Sequence, residues 1–80
     1  MAVRVRLRFF AALREQLGST AERTVPAGTT AGALWQALVD EHPALRPIRV
    51  RFAVKERYVE PSQRLADGDE VAVFPPVSGG

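Results

Sequence analysis

The residue types with an evident chemical use close the sequence, in Phe74-Pro75-Pro76-Val77-Ser78-Gly79-Gly80. Glycine has no Cβ, so a Gly-Gly pair threads a narrow channel and takes backbone angles closed to other residues. Such an end suits a carboxylate delivered into the active site of another protein, which makes Gly80 the expected reactive residue. A terminal carboxylate, with a pKa near about 3.5, is an anion at neutral pH and must be activated before a nucleophile attacks it. Pro75 and Pro76 favour polyproline-like angles and so reduce the entropy lost when the segment is immobilised. Extended at about 3.3 Å per residue, Pro75 to Gly80 reach roughly 20 Å. Val77 is expected to anchor in an apolar channel, with Ser78, Gly79 and Gly80 beyond it.

Other chemistries find little support. Cysteine is absent, which removes thiolate nucleophiles, disulfides and thiolate metal ligands together. His42 is the single histidine, and no ligand spacing accompanies it, so no metal is expected. It is read instead as a residue at a helix C-terminus, where its charge opposes the macrodipole. Asp67-Gly68-Asp69 reads as a turn, because the later ligands of a calcium loop are missing. There is no Ser-His-Asp set, phosphate-binding glycine loop or carboxylate pair, so catalytic residues are expected on partner proteins. The cations are ten Arg and one Lys, giving a net charge of +2 and a pI near 9.9, which suits an acidic partner or nucleic acid. No apolar run approaches the length of a membrane span, and no secretory signal is present, so a cytoplasmic protein is expected.

The elements that must position the tail follow from periodicity. Val3, Val5, Leu7 and Phe9 alternate with Arg4, Arg6 and Arg8, which predicts a half-buried strand from about Val3 to Phe10 rather than an arginine-rich transit peptide. A short helix is expected over Ala11–Leu17, closed by Gly18 as a left-handed C-cap, and a second strand over Glu22–Val25. The main helix is expected to start with Thr29 or Thr30 as N-cap and to run to about His42, where Pro43 stops it. Its apolar stripe is Ala31, Leu34, Trp35, Leu38 and Val39, with Trp35 expected in the core. Val50 to Val54 reads as a strand, Tyr58-Val59 as a short extended piece, and Glu70 to Phe74 as the last strand, with Val71 and Val73 inward and Ala72 and Phe74 on the other face. The order predicts an α+β fold with one main helix covering one face of a mixed sheet.

Phe9-Phe10-Ala11-Ala12-Leu13-Arg14-Glu15, Gly28-Thr29-Thr30 and the run from Leu65 to Gly80 resemble the MoaD/ThiS family, most specifically between Asp67 and Gly80. The resemblance implies a ubiquitin-like β-grasp domain over residues 1–74, followed by a tail over residues 75–80 that ends in Gly-Gly. It also implies a sulfur carrier whose Gly80 is adenylated and then converted to a thiocarboxylate, as in the small, non-catalytic subunit of molybdopterin synthase. The partners implied are the synthase large subunit in a heterotetramer, a ubiquitin-activating-type adenylyltransferase that uses ATP, and a sulfur donor protein. No cofactor is expected on the chain itself, and no nucleic acid or membrane partner. Pro75, Pro76, Val77, Ser78 and Gly79 would thread the partner's active site, with Phe74, Arg4, Arg6 and Arg8 at the interface. Lys55 departs from the family pattern, where Asn is expected, and carries no role. A related carrier serving thiamine synthesis, tRNA thiolation or protein conjugation is the alternative within the fold. A small RNA-binding module is the alternative of another class, although stacking aromatics are sparse.

Overall fold

In the computed structural model, which describes residues 1–75, the chain forms β1 (Ala2–Phe9), α1 (Ala12–Leu17), β2 (Thr20–Pro26), α2 (Ala31–Glu41), a 3-10 turn (Pro43–Leu45), β3 (Arg51–Val54), β4 (Arg57–Val59) and β5 (Glu70–Phe74). The five strands make one mixed sheet in the order β2-β1-β5-β3-β4. β1 and β5 run parallel at its centre, and the other pairs are antiparallel. With α2 packed across one face, this is the α+β, ubiquitin-like β-grasp architecture that the sequence leads one to expect.

Alternation decides the layers. Val5, Leu7 and Phe9 of β1, Phe52 and Val54 of β3, and Val71 and Val73 of β5 point toward α2 and are buried. They meet Ala31, Leu34, Leu38 and Val39 of the helix, while Leu13, Leu45 and Leu65 close the ends. Trp35 is only half-buried and flanks this cluster instead of filling it. Leu45, fully buried, comes from the 3-10 turn that the Pro43 and Pro47 break conceals in the sequence. No buried polar or charged side chain occurs among the described residues, so the interior is purely apolar.

The helix α2 has its first donors fully matched. Thr30 is the N-cap, its Oγ1 accepting from the Ala33 amide at 3.1 Å. The Ala31 and Gly32 amides donate to Gln63 O and Pro61 O, both at 2.9 Å, so the 60–65 loop supplies what the helix cannot. That close approach explains Gly32, since a Cβ there would stand 3.0 Å from Pro61 Cβ and 3.1 Å from Pro61 O. Gly18 has the positive φ expected of it, 86°, but its ψ of 178° lies outside the left-handed helical region. Lys55 and Glu56 form the two-residue β3–β4 turn with φ of 54° and 64°, a primed turn in which Asn-Gly is the comfortable pair. Asn, the residue that the resemblance leads one to expect at position 55, would take this backbone more easily than Lys.

Two glycine substitutions should move stability in opposite directions. Glu56→Gly removes a left-handed side chain and should stabilise by about 1 kcal/mol, raising Tm by roughly 4–8 °C. Gly32→Ala should destabilise by about 1 kcal/mol despite alanine's better helix propensity, because the Pro61 carbonyl it would crowd accepts the hydrogen bond from Gly32 itself. Urea unfolding of the two variants beside the parent chain checks both signs.

Candidate functional site

The face of the sheet turned away from α2 is uncovered, and its side chains follow from strand parity. Arg4, Arg6 and Arg8 of β1, Ala72 and Phe74 of β5, and Arg51 and Ala53 of β3 all stand on it. Across the sheet, Arg8 lies opposite Ala72, Ala72 opposite Ala53, and Ala53 opposite Tyr58. Small residues therefore floor a shallow hollow whose walls include Arg8, Tyr58 and Phe74.

Three aromatic rings gather at one end of that hollow. Phe10 and Phe74 lie 5.3 Å apart between centroids and tilted by 53°, and Tyr58 meets Phe74 edge-on at 5.7 Å and 83°. The Arg8 guanidinium carbon sits 5.6 Å from the centre of the Phe10 ring. Each aromatic pair contributes about 0.5–1.5 kcal/mol beyond area burial, and an exposed cation over a ring about 0.5–1 kcal/mol. Such contacts hold the rings in place while Tyr58 remains 70% exposed and Phe10 and Phe74 stay half-buried. An apolar cluster left open on a domain with a well-formed apolar core marks an interaction surface.

The cations of this face are partly engaged. Arg6 pairs with Glu22 at 3.6 Å and Arg8 with Glu70 at 3.5 Å, both between exposed side chains, where such pairs are worth little. Arg4 has no ion-pair partner among the described residues. Its backbone is tied to the Asp67-Gly68-Asp69 turn, with the Arg4 amide donating to Asp67 Oδ1 at 2.8 Å and the Gly68 amide donating to Arg4 O at 2.7 Å. These acids thus serve as turn residues, and no group of three or more His, Cys, Asp or Glu is placed to hold a metal among the described residues. His42 is an exposed C-cap whose amide donates to Leu38 O at 2.9 Å.

The same end of the sheet is the root of the tail. β5 ends at Phe74, and Pro75 follows it; Pro76, Val77, Ser78, Gly79 and Gly80 lie outside the described residues. Phe74 is flanked by Phe10, whose amide donates to Val73 O at 3.3 Å, and by Arg51, its register partner on β3. Phe10 and Tyr58 escaped the sequence reading of the site, and Arg51 enters that reading only as one of a second basic run, Arg46, Arg49, Arg51, Lys55 and Arg57, read mainly as a solvated face. For Phe10 the signal was present, since it follows Phe9 and has the parity of Arg8; Arg51 and Tyr58 join the site only through register.

Comparison with known proteins agrees over nearly the whole chain. Residues 7–80 match the ThiS family. The molybdopterin synthase sulfur carrier subunit of Homo sapiens is 39% identical over 82 residues, covering 95% of this chain and 93% of that protein. A candidate molybdopterin converting factor subunit 1 from Pyrococcus furiosus superposes with a TM-score of 0.84 at 31% identity, covering 94% of this chain and 99% of the other. In a complex of subunits 1 and 2 of molybdopterin-converting factor from Helicobacter pylori, the matching chain gives a TM-score of 0.63 at 25% identity, covering 98% of this chain and all of its own.

The position of Phe74 is testable through stability. Phe74→Ala should cost about 1–2 kcal/mol, the worth of two edge or tilted ring contacts and modest burial, whereas Phe9→Ala should cost about 3–5 kcal/mol as a core deletion. Equal losses in denaturant unfolding would place Phe74 in the core instead.

Proposed function

The chain belongs to the ThiS family, and we propose that it is the sulfur carrier subunit of a molybdopterin synthase, with the Gly80 carboxylate as its reactive group. One observation carries the structural side of this reading: the open aromatic cluster adjoins the residue from which the tail departs. The surface that docks and the segment that reacts are therefore contiguous, and seating Phe10, Tyr58 and Phe74 on a partner aims residues 75–80 into it.

The chemistry follows from the carboxylate. Adenylation by an ATP-using, ubiquitin-activating-type partner turns a poor electrophile into an acyl-adenylate, with pyrophosphate released. Hydrosulfide supplied by the sulfur donor protein attacks the carbonyl carbon, the bond to AMP breaks with its electron pair going to the phosphate, and Gly80 becomes a thiocarboxylate. That sulfur is then transferred to a pyranopterin precursor held by the large subunit, two transfers building the dithiolene. In this reading the chain is a co-substrate, and the acids, bases and binding groups for both steps come from the partners. ATP belongs to the activating partner, and this chain holds no cofactor of its own in the proposed cycle. The related assembly from Helicobacter pylori joins subunits 1 and 2, which supports a large subunit as the partner here; the heterotetramer is part of the proposed reading. No described helix is long and apolar enough to cross a membrane, and the reading places the protein in the cytoplasm.

Deleting Gly80, or adding one residue after it, should abolish thiocarboxylate formation and dithiolene synthesis while the circular dichroism and unfolding midpoint stay unchanged. Intact mass after incubation with the activating enzyme, ATP and a sulfur donor reads the first; synthesis with the large subunit reads the second. Retained activity in either variant sinks the carrier reading. Phe74→Asp should weaken large-subunit binding by roughly 30-fold or more, the loss of a central aromatic anchor, as read by calorimetry.

A further inference from the structure

The β4 edge of the sheet carries a recess that the proposed cycle leaves unused. Val54 is buried and Arg57 is its register partner, while Val59 pairs with the buried Phe52, so Val54, Arg57 and Val59 share the face of the sheet that α2 covers. With the 60–69 loop beside them they bound a cavity of about 250 Å³, lined also by Lys55, Gln63, Arg64, Ala66 and Asp69. Lys55, Arg57 and Arg64 have no ion-pair partner among the described residues. The one acid on the lining, Asp69, is engaged by the loop itself, its Oδ2 accepting from the Ala66 amide at 2.8 Å. Like charges gathered without a counter-charge are destabilising, and a bound anion relieves them.

Both walls of the recess are held in place. Gln63 O and Pro61 O accept from the first amides of α2, the Leu65 amide donates to Thr29 O at 2.9 Å, and Arg64 bridges to Thr30, so the backbone that carries Arg64 is fixed to the helix. On the other wall Arg57 closes the hairpin, and Lys55 stands in its turn with φ of 54°. A long side chain is disfavoured at positive φ, and strained positions of this kind cluster at binding sites. Here the strained position carries the only lysine of the chain and lines the recess.

We propose that this recess is a binding site for small phosphate-bearing ligands, held by Lys55, Arg57 and Arg64. Guanidinium groups grip phosphate oxygens through paired N–H donors, and an ammonium adds a compact charge. The cavity is several times the roughly 30 Å³ share of a water molecule in the liquid, which gives room for a diphosphate. Three cations against one engaged carboxylate favour a ligand with more than one negative charge. Val54 pairs with Val71 and Arg51 with Phe74, so Lys55 and the site stand at the opposite end of β5 from the ring of Phe74. An anion held there leaves Phe10 and Phe74 free to dock.

The test uses the full chain and inorganic diphosphate, with sodium chloride at matched ionic strength as the reference. Three charge-assisted contacts at an open site suit a Kd on the order of 1 mM, so about 10 mM diphosphate should raise Tm by roughly 5–10 °C over the chloride control. Amide chemical shifts should move at Lys55, Arg57 and Arg64 and stay still at Arg4, Phe10 and Phe74. K55N separates binding from folding: without ligand its Tm should equal or exceed the parent's, because Asn suits the turn, while its Kd for diphosphate should rise about tenfold. R57Q/R64Q should abolish the response, whereas R14Q, altered on α1 against β1 and β2, should respond as the parent does. Equal melting in diphosphate and chloride overturns the proposal, as does a parent-like response in K55N or in R57Q/R64Q. Shifts centred on Arg4, Arg6 and Arg8 would put the anion on the open face and overturn it too. A parallel titration with a single-stranded RNA oligonucleotide separates a small ligand from a nucleic-acid backbone, and shifts at these amides with RNA alone also overturn it.

Discussion

The pairing of β1 with β5 is the constraint on which the rest of the molecule depends. It joins the first strand of the chain to the last, in parallel, at the centre of the sheet. Val5, Leu7, Phe9, Val71 and Val73, which line it, are each no more than 2% exposed, so the tightest part of the core is also the part assembled from the most distant sequence. Closing so large a loop is slow and entropically costly, and it is offset only when α2 and the outer strands add their apolar faces. The Asp67-Gly68-Asp69 turn helps to fix the register: Gly68, with φ of 86°, donates to Arg4 O, and the Arg6 amide donates to Asp69 O. A slip by one residue would turn Val71 and Val73 outward and Phe74 inward, destroying core and docking surface together.

The open face is a consequence of that register. Parity that buries Val73 must expose Phe74, and parity that buries Phe9 must expose Phe10 once the chain leaves β1. Ala11 takes φ of 53° and ψ of −134°, a strained conformation for a residue with a Cβ, just where the chain turns from Phe10 into α1. Strain at that point and uncovered rings beside it are both unfavourable for an isolated domain, costing on the order of 1–3 kcal/mol for the backbone alone. They become understandable where a partner covers the rings. The domain thus gives up stability at the end of the sheet where β5 leads into Pro75.

How much of this the sequence discloses depends on the range of the interactions. The alternation in β1 and β5, the 3.6-residue stripe of α2, its Thr30 cap and its stop before Pro43 are local signals, and the structure has them within a residue or two. Strand β2 runs longer than the Glu22–Val25 expected, over Thr20–Pro26, because pairing with β1 recruits residues of weak intrinsic preference. Leu45 is buried through a 3-10 turn that two prolines disguise, and Trp35 sits at the rim because the helix stripe is wider than the sheet can cover. Gly32 looks like a tolerated weak point until Pro61 is found against it. The site divides the same way: Phe74 is legible from parity, whereas Arg51 and Tyr58 join it through the pairing of β3 with β5 and β4, a register that no local pattern announces even though Val50 to Val54 reads as a strand.

The division of labour between domain and tail has a physical basis in what each can offer. The interior holds no buried polar side chain among the described residues, and what the domain offers a partner stands on the open face, where Phe10, Tyr58 and Phe74 gather. A carboxylate beyond the sheet has no catalytic groups of its own, yet about 20 Å of reach lets it enter pockets that do. In the proposed cycle, separating the two would let one folded body present the same end to an adenylating site and then to a sulfur-accepting site, since neither chemistry has to be compatible with the core. That cycle also requires the two partners to recognise overlapping surfaces near Phe74, where β5 leads into the tail. Exchange between partners therefore has to be sequential, and the modest size of the exposed cluster, three rings and a flanking arginine, suits a contact that must release as well as bind.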